Sequence, residues 1–155
     1  CDSRWGSDSF GTPSKTNSAT LCKSGCLVSS AAMVLAGCGK TIDKATVTPK
    51  SLNTWLQKNN GYAGALLYWE RLGNLGLSFV GKVNDPKQIA AYHKQGKAVV
   101  LNVRNGGHWV LLTSISVDKN GLVAQYLVND PGYPVTLYAK SDVLTAGIFS
   151  KPSGC

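Results

Sequence analysis

Residues 26–36 read CLVSSAAMVLA, with Leu27, Ala31, Val34 and Leu35 at helical spacing and only small polar residues between them. That pattern predicts a helix buried on most sides, with Gly37 as its terminator. TPKSLNTWLQKNN predicts a second helix. Thr48 can cap it, Pro49 takes the first helical position, and Leu52, Trp55 and Leu56 form its apolar stripe. GALLYWERLGN reads as a short helix, and LSFVGKV (77–83) alternates as a strand does. NDPKQIAAYHKQGK repeats the helix-start signal, with Asp85 as cap and Pro86 after it, and ends near Gly96.

Beyond Gly96 the pattern changes. KAVVLNVR, GGHWVLLTSISVD, LVAQYLVND, PVTLYAK and AGIFS are β-rich runs divided by Gly, Asn, Asp and Pro. Strict alternation along the second of these puts His108, Val110, Leu112 and Ser114 on one face. Trp109, Leu111, Thr113 and Ile115 then take the other. Helices first and antiparallel strands after them predict an α+β fold, with a helical layer packed on a twisted sheet. Residues 1–24, rich in Ser, Thr, Gly and Asp, read as an irregular N-terminal arm anchored by Trp5 and Phe10. No repeat or linker divides the chain, so residues 1–155 are expected to form a single domain.

Charge and cysteines change this picture in two ways. Sixteen basic against eight acidic residues give a net charge of +8. The lysines are scattered, which describes either a solvated basic surface or one that attracts an anionic surface or partner. Nucleic acid is not expected, since zinc-finger spacing, RNA-binding aromatics and a basic helix are all missing. No run of about 20 apolar residues exists, so no transmembrane segment is expected. Five cysteines suit an oxidising compartment and leave one thiol over. With Cys26 free, the other four can pair in three ways, of which Cys1–Cys22 with Cys38–Cys155 is preferred. A Cys22–Cys26 bridge is the rival that would mask Cys26. A secreted or extracytoplasmic monomer is expected, or a lipoprotein if Cys1 carries lipid.

Cys26 stands at the mouth of the first long helix, where free N–H groups and the helix dipole stabilise a thiolate. Gly25 before it lets a substrate approach the backbone, and the Cys26 N–H can donate to a developing oxyanion. The plain alternative is a structural cysteine. Of the two histidines, His93 reads as a surface residue near a helix end. His108 follows Gly106 and Gly107 at the head of an apolar strand, as a core-edge residue or a base. Asp130 closes the next strand before Pro131 and Gly132, where an Asp often only shapes the turn. On adjacent strands it can also orient His108. Among aromatic residues, Trp5, Trp69, Trp109 and Tyr133 can line a cleft, with Trp109 and Tyr133 favoured by adjacency to His108 and Asp130. Metal-ligand spacings are missing, paired carboxylates do not stand out, and GCGKT fits no phosphate-loop frame. No metal or cofactor is expected.

SGCLVSSAAMVLAGCG, TPKSLNTWLQKNNGY, GHWVLLTSI and YLVNDPGY, in that order, resemble papain-like cysteine peptidases related to the double-glycine leader peptidases of bacteriocin exporters. The stand-alone secreted bacterial and phage branch is the nearest in pattern, and the likeness runs from about Trp5 to Leu144. The resemblance implies a papain-like fold and a thiol hydrolase of peptide or amide bonds. Cys26 would be its nucleophile, His108 its base and acid, and Asp130 its orienting carboxylate, with Asn129 as fallback. The implied substrate is a polypeptide or a cell-wall peptide. Such enzymes carry a Gln before the nucleophile as an oxyanion donor, whereas the first Gln here is Gln57. Thr20 and Asn17 are the candidates to replace it, beside the Cys26 amide. A descendant that kept the fold and only binds peptide or wall is the alternative.

Overall fold

A computed structural model describes residues 2–13 and 18–155. The helices are α1 (Leu21–Ser24), α2 (Cys26–Gly37), α3 (Pro49–Lys58) and α4 (Pro86–Lys94). Two short hairpins flank α3: β1 (Thr41–Ile42) with β2 (Ala45–Thr46), and β3 (Tyr62–Ala63) with β4 (Leu66–Leu67). The main sheet is six-stranded and antiparallel. It is built from β5 (Ser78–Val83), β6 (Ala98–Val103), β7 (His108–Val117), β8 (Val123–Asn129), β9 (Leu137–Ala139) and β10 (Thr145–Ser150). Their spatial order is β5-β10-β6-β7-β8-β9, so the last strand inserts between β5 and β6.

The capping signals act as written. Thr48 accepts from the Ser51 N–H, and Ser51 reciprocates to the Thr48 N–H, closing a capping box around Pro49. Asp85 accepts from the Lys87 N–H at the start of α4. The stripe of α3 buries Leu52 and Leu56 completely, each such burial contributing about 1.5–3 kcal/mol.

The sheet is covered on both faces, not by the single helical layer expected. β6 is buried at all six positions. Its Ala98 and Val100 join a core with Val28, Leu35, Leu52 and Leu56 of α2 and α3. Its Val99, Leu101 and Val103 join a second core with Ile89 of α4 and Val110, Tyr126 and Ile148 of the sheet. A strand wrapped on both sides reads as a continuous apolar run, which AVVLNV is.

Four local expectations are corrected. The N-terminal arm is not wholly irregular: Ser9 bridges to Thr20, and α1 occupies Leu21–Ser24. Gly37 is the last residue of α2, not its stop; Cys38 caps the helix and Gly39 takes the left-handed turn at φ 69°. GALLYWERLGN splits between the β3–β4 hairpin and a 3-10 helix at Trp69–Leu75. The strand alternation along β7 breaks at a bulge between Leu112 and Ser114, and Ile115 therefore packs with Val110 and Leu112.

Cys38 is bridged to Cys155, with Cα atoms 5.0 Å apart. Cys22 is disulfide-bonded and Cys26 is a free thiol, which removes the Cys22–Cys26 alternative. The expected Cys1–Cys22 pairing involves a residue outside those described, and so does any placement of Asn17.

Candidate active site

Cys26 is the first residue of α2, half-buried, directly after a Gly25 that supplies no side-chain cap. Gly25 is required here for packing between helices. A Cβ on it would lie 2.5 Å from the Leu21 carbonyl oxygen and 2.7 Å from Leu21 Cδ2. Its bareness thus serves the close α1–α2 joint, and Gly25 is not among the residues lining the cleft. Further along α2, the buried Ser30 hydroxyl donates to the Trp109 carbonyl at 3.3 Å, tying the helix to β7.

His108 opens β7. The turn that delivers it is unusual, because Arg104, Asn105 and Gly106 all have positive φ (52°, 53° and 90°). For non-glycine residues such backbone costs about 1–2 kcal/mol each. Buried Asn102 offsets this by donating through Nδ2 to the Gly106 carbonyl at 3.0 Å and the His108 carbonyl at 3.3 Å. The sequence therefore fixes the His108 backbone before its ring meets any partner.

Asp130 lies at the end of β8, which pairs with β7. His108 Nε2 donates to Asp130 Oδ1 at 2.7 Å, and the two side chains are only 8% and 0% exposed. The same Oδ1 accepts the N–H groups of Gly132 at 2.8 Å and Tyr133 at 3.0 Å. Oδ2 accepts the Tyr138 hydroxyl at 2.8 Å. Asp130 thus shapes its turn and orients His108 at once. Asn129, the fallback, is exposed and pairs its backbone with Leu111.

Burial disfavours the charged form of His108, but hydrogen bonds to Cys26 and Asp130, and the charges behind them, outweigh it. The net pKa is raised above 6.5. Burial would likewise raise Asp130, and the Gly132 amide, His108, Tyr138 and the Tyr133 amide more than reverse that, holding it below 3.8. With Nε2 committed to Asp130, Nδ1 is the ring nitrogen left for the Cys26 thiol.

These groups line a cleft of about 460 Å³. Its lining includes Cys26, Gly107, His108, Gly132 and Tyr133, with Asp2, Trp5, Leu21 and Lys23 contributed by the arm and α1. Tyr133 stands edge-on to the His108 ring, with centroids 5.1 Å apart. Gly132 packs closely against that ring, and a Cβ there would lie 3.1 Å from His108 Cε1.

Other candidates fall elsewhere. Trp109, one strand position on from His108, faces the opposite side. There it packs at 4.9 Å on Trp69 in the core shared with α2. Thr20 spends its side chain as the N-cap of α1, accepting from the Lys23 N–H, and is not among the cleft-lining residues. His93 is half-buried near the end of α4, where burial and nearby Lys151 lower its pKa. Tyr138 and Arg104 were not singled out from sequence; with seven residues between Asn129 and Leu137, the register that brings Tyr138 to Asp130 is not readable from the chain. No group of three or more metal-ligating side chains gathers among the described residues.

Searches against protein-family models, curated proteins and solved structures returned no match.

Proposed function

We propose that this protein is a cysteine hydrolase of peptide or amide bonds, with Cys26 as nucleophile, His108 as general base and acid, and Asp130 as orienting carboxylate. The observation that carries the reading is the buried 2.7 Å Asp130–His108 bond, on a histidine that shares one cleft with the free Cys26 at a helix mouth. A papain-like relationship is part of the proposal. It rests on the order of the three residues along the chain and on a nucleophile helix packed against the histidine strand.

His108 Nδ1 takes the thiol proton as Cys26 Sγ attacks the carbonyl carbon. The imidazolium then protonates the departing amine, leaving an acyl thioester on Cys26. His108 next takes a proton from water, whose oxygen displaces the thiol and releases the acid. The Cys26 amide, in the first turn of α2, is the oxyanion donor this reading uses. Trp5, Met33, Pro131 and Tyr133 offer apolar walls for the side chains of an extended peptide. The bridged Cys38–Cys155 pair fits an extracytoplasmic setting. No helix of the described residues is long and apolar enough to cross a membrane. A basic surface of net +8 favours a substrate held on an anionic scaffold such as a bacterial wall.

The test is alkylation of the unreduced protein with limiting iodoacetamide at pH 5–6, with the adduct located by mass spectrometry. An ordinary thiol, of pKa about 8.5, is almost wholly protonated there and reacts slowly. Rapid labelling of Cys26 that disappears in His108→Ala is expected. Labelling no faster than that of a small free thiol would end the hydrolase reading.

A further inference from the structure

We propose that Tyr138, itself held by Arg104, is a positioning residue that fixes Asp130 for His108; the inference rests on the reading of Cys26, His108 and Asp130 as the reacting centre. Asp130 Oδ1 is crowded, accepting from His108 Nε2, Gly132 N and Tyr133 N. Oδ2 depends on Tyr138, whose hydroxyl donates to it at 2.8 Å. A carboxylate with no exposed side-chain surface has no water to replace that donor.

Tyr138 is in turn constrained from outside. Arg104 Nε donates to its hydroxyl oxygen at 3.2 Å, so that the hydroxyl proton is left to point at Asp130. The Arg104 guanidinium also lies 3.7 Å from the centroid of the Tyr133 ring, the ring that stands against His108. One cation therefore braces both aromatic neighbours of the Asp130–His108 pair. This gives the left-handed turn at Arg104 a purpose: the residue two places before Gly106 turns its side chain back toward Tyr138 and Tyr133.

The charged and titratable groups around the pair are Cys26 from α2, Tyr133 of the turn after β8, Tyr138 of β9 and Arg104 of the β6–β7 turn. Asp2 and Lys23 also line the cleft, and Asp2 is already paired with Arg4. Of these, Tyr138 alone donates to Oδ2.

The experiment compares wild type, Tyr138→Phe and Arg104→Gln by two readouts. One is the pH profile of Cys26 alkylation; the other is the downfield proton resonance of the His108 Nε2–H bonded to Asp130. Tyr138→Phe keeps the ring in its packing and removes one oxygen. It is expected to slow labelling at pH 5–6 by about tenfold, the scale of one charge-assisted hydrogen bond. Its acid limb should move to higher pH, because Asp130 loses a donor that keeps it ionised. The His108 resonance should shift upfield or broaden away. Arg104→Gln should move both readouts the same way by less. If wild type labels rapidly and Tyr138→Phe matches it in rate, acid limb and resonance, the positioning role is overturned while the hydrolase reading stands. If wild-type Cys26 is inert, the hydrolase reading fails. The resonance then decides whether Tyr138 fixes the pair, and an unchanged signal in Tyr138→Phe overturns that as well.

Discussion

His108 and Asp130 shift in opposite directions, and the signs determine when their contact stabilises the fold. The folded pKa of His108 lies above 6.5, so its contribution is complete below 6.5 and is lost as pH rises through the folded value. The folded pKa of Asp130 lies below 3.8, so its contribution is present above 3.8 and is lost as pH falls through the folded value. Both are in force between 3.8 and 6.5. Asp130→Asn should therefore destabilise the protein most near pH 5 and distinctly less near pH 9, as read by urea unfolding at each pH. An equal penalty at both would mean that His108 gains no proton affinity from Asp130. The same reasoning explains why Asp130 survives burial: its carboxylate oxygens carry donors from backbone, imidazole and phenol, and a carboxylate so satisfied stays ionised.

At the scale of elements, the site is a meeting of one helix end with two strand ends, and its precision depends on how α2 is seated. The α1–α2 joint leaves no room at Gly25, whose added Cβ would sit 2.5 Å from a backbone oxygen. Gly25→Ala should lower the melting temperature and slow Cys26 alkylation together, because the joint can only open by moving the next residue. Unchanged labelling in a destabilised Gly25→Ala protein would show that Cys26 is positioned by β7 alone. The elements differ in how plainly the chain announces them. α3 and α4 carry their start signals in Thr48-Pro49 and Asp85-Pro86, and both begin there. β7 and β8 carry their apolar runs, and the ends of those runs bring His108 to Asp130. The hairpins β1–β2 and β3–β4 have two residues per strand, too few for any period to emerge. The bulge after Leu112 and the approach of Tyr138 to Asp130 depend on pairing between strands, which no single run encodes. Hence the gathering of Cys26, His108 and Asp130 was legible, while the brace of Tyr138 and Arg104 behind it was not.

In the molecule as a whole, α2 links the candidate site to the Cys38–Cys155 bridge. Its first residue is the free thiol, and the residue after its last turn, Cys38, is bridged to Cys155 across 117 residues of sequence. Cys155 follows β10, the strand inserted between β5 and β6. The bridge thus fastens the helix layer to the interior of the sheet. Closing a loop of that length restricts the unfolded chain by roughly 4–5 kcal/mol in the chain-entropy account, with 2–4 kcal/mol typical in practice. Replacing both partners, Cys38→Ala with Cys155→Ala, should lower urea-unfolding stability by about 2–4 kcal/mol. A loss below about 0.5 kcal/mol would mean that the sheet holds α2 without it.

If Cys26 is the nucleophile proposed above, the same bridge places opposing demands on the redox conditions. Thiol hydrolases are commonly kept active with added reductant, which returns an oxidised nucleophile to the thiol state. Here the reagent that rescues Cys26 also attacks the crosslink at the far end of its own helix. Mild reductant would therefore keep Cys26 a thiol, and strong reductant would release the helix that carries it. On the proposed hydrolase reading, turnover should rise and then fall as reductant increases.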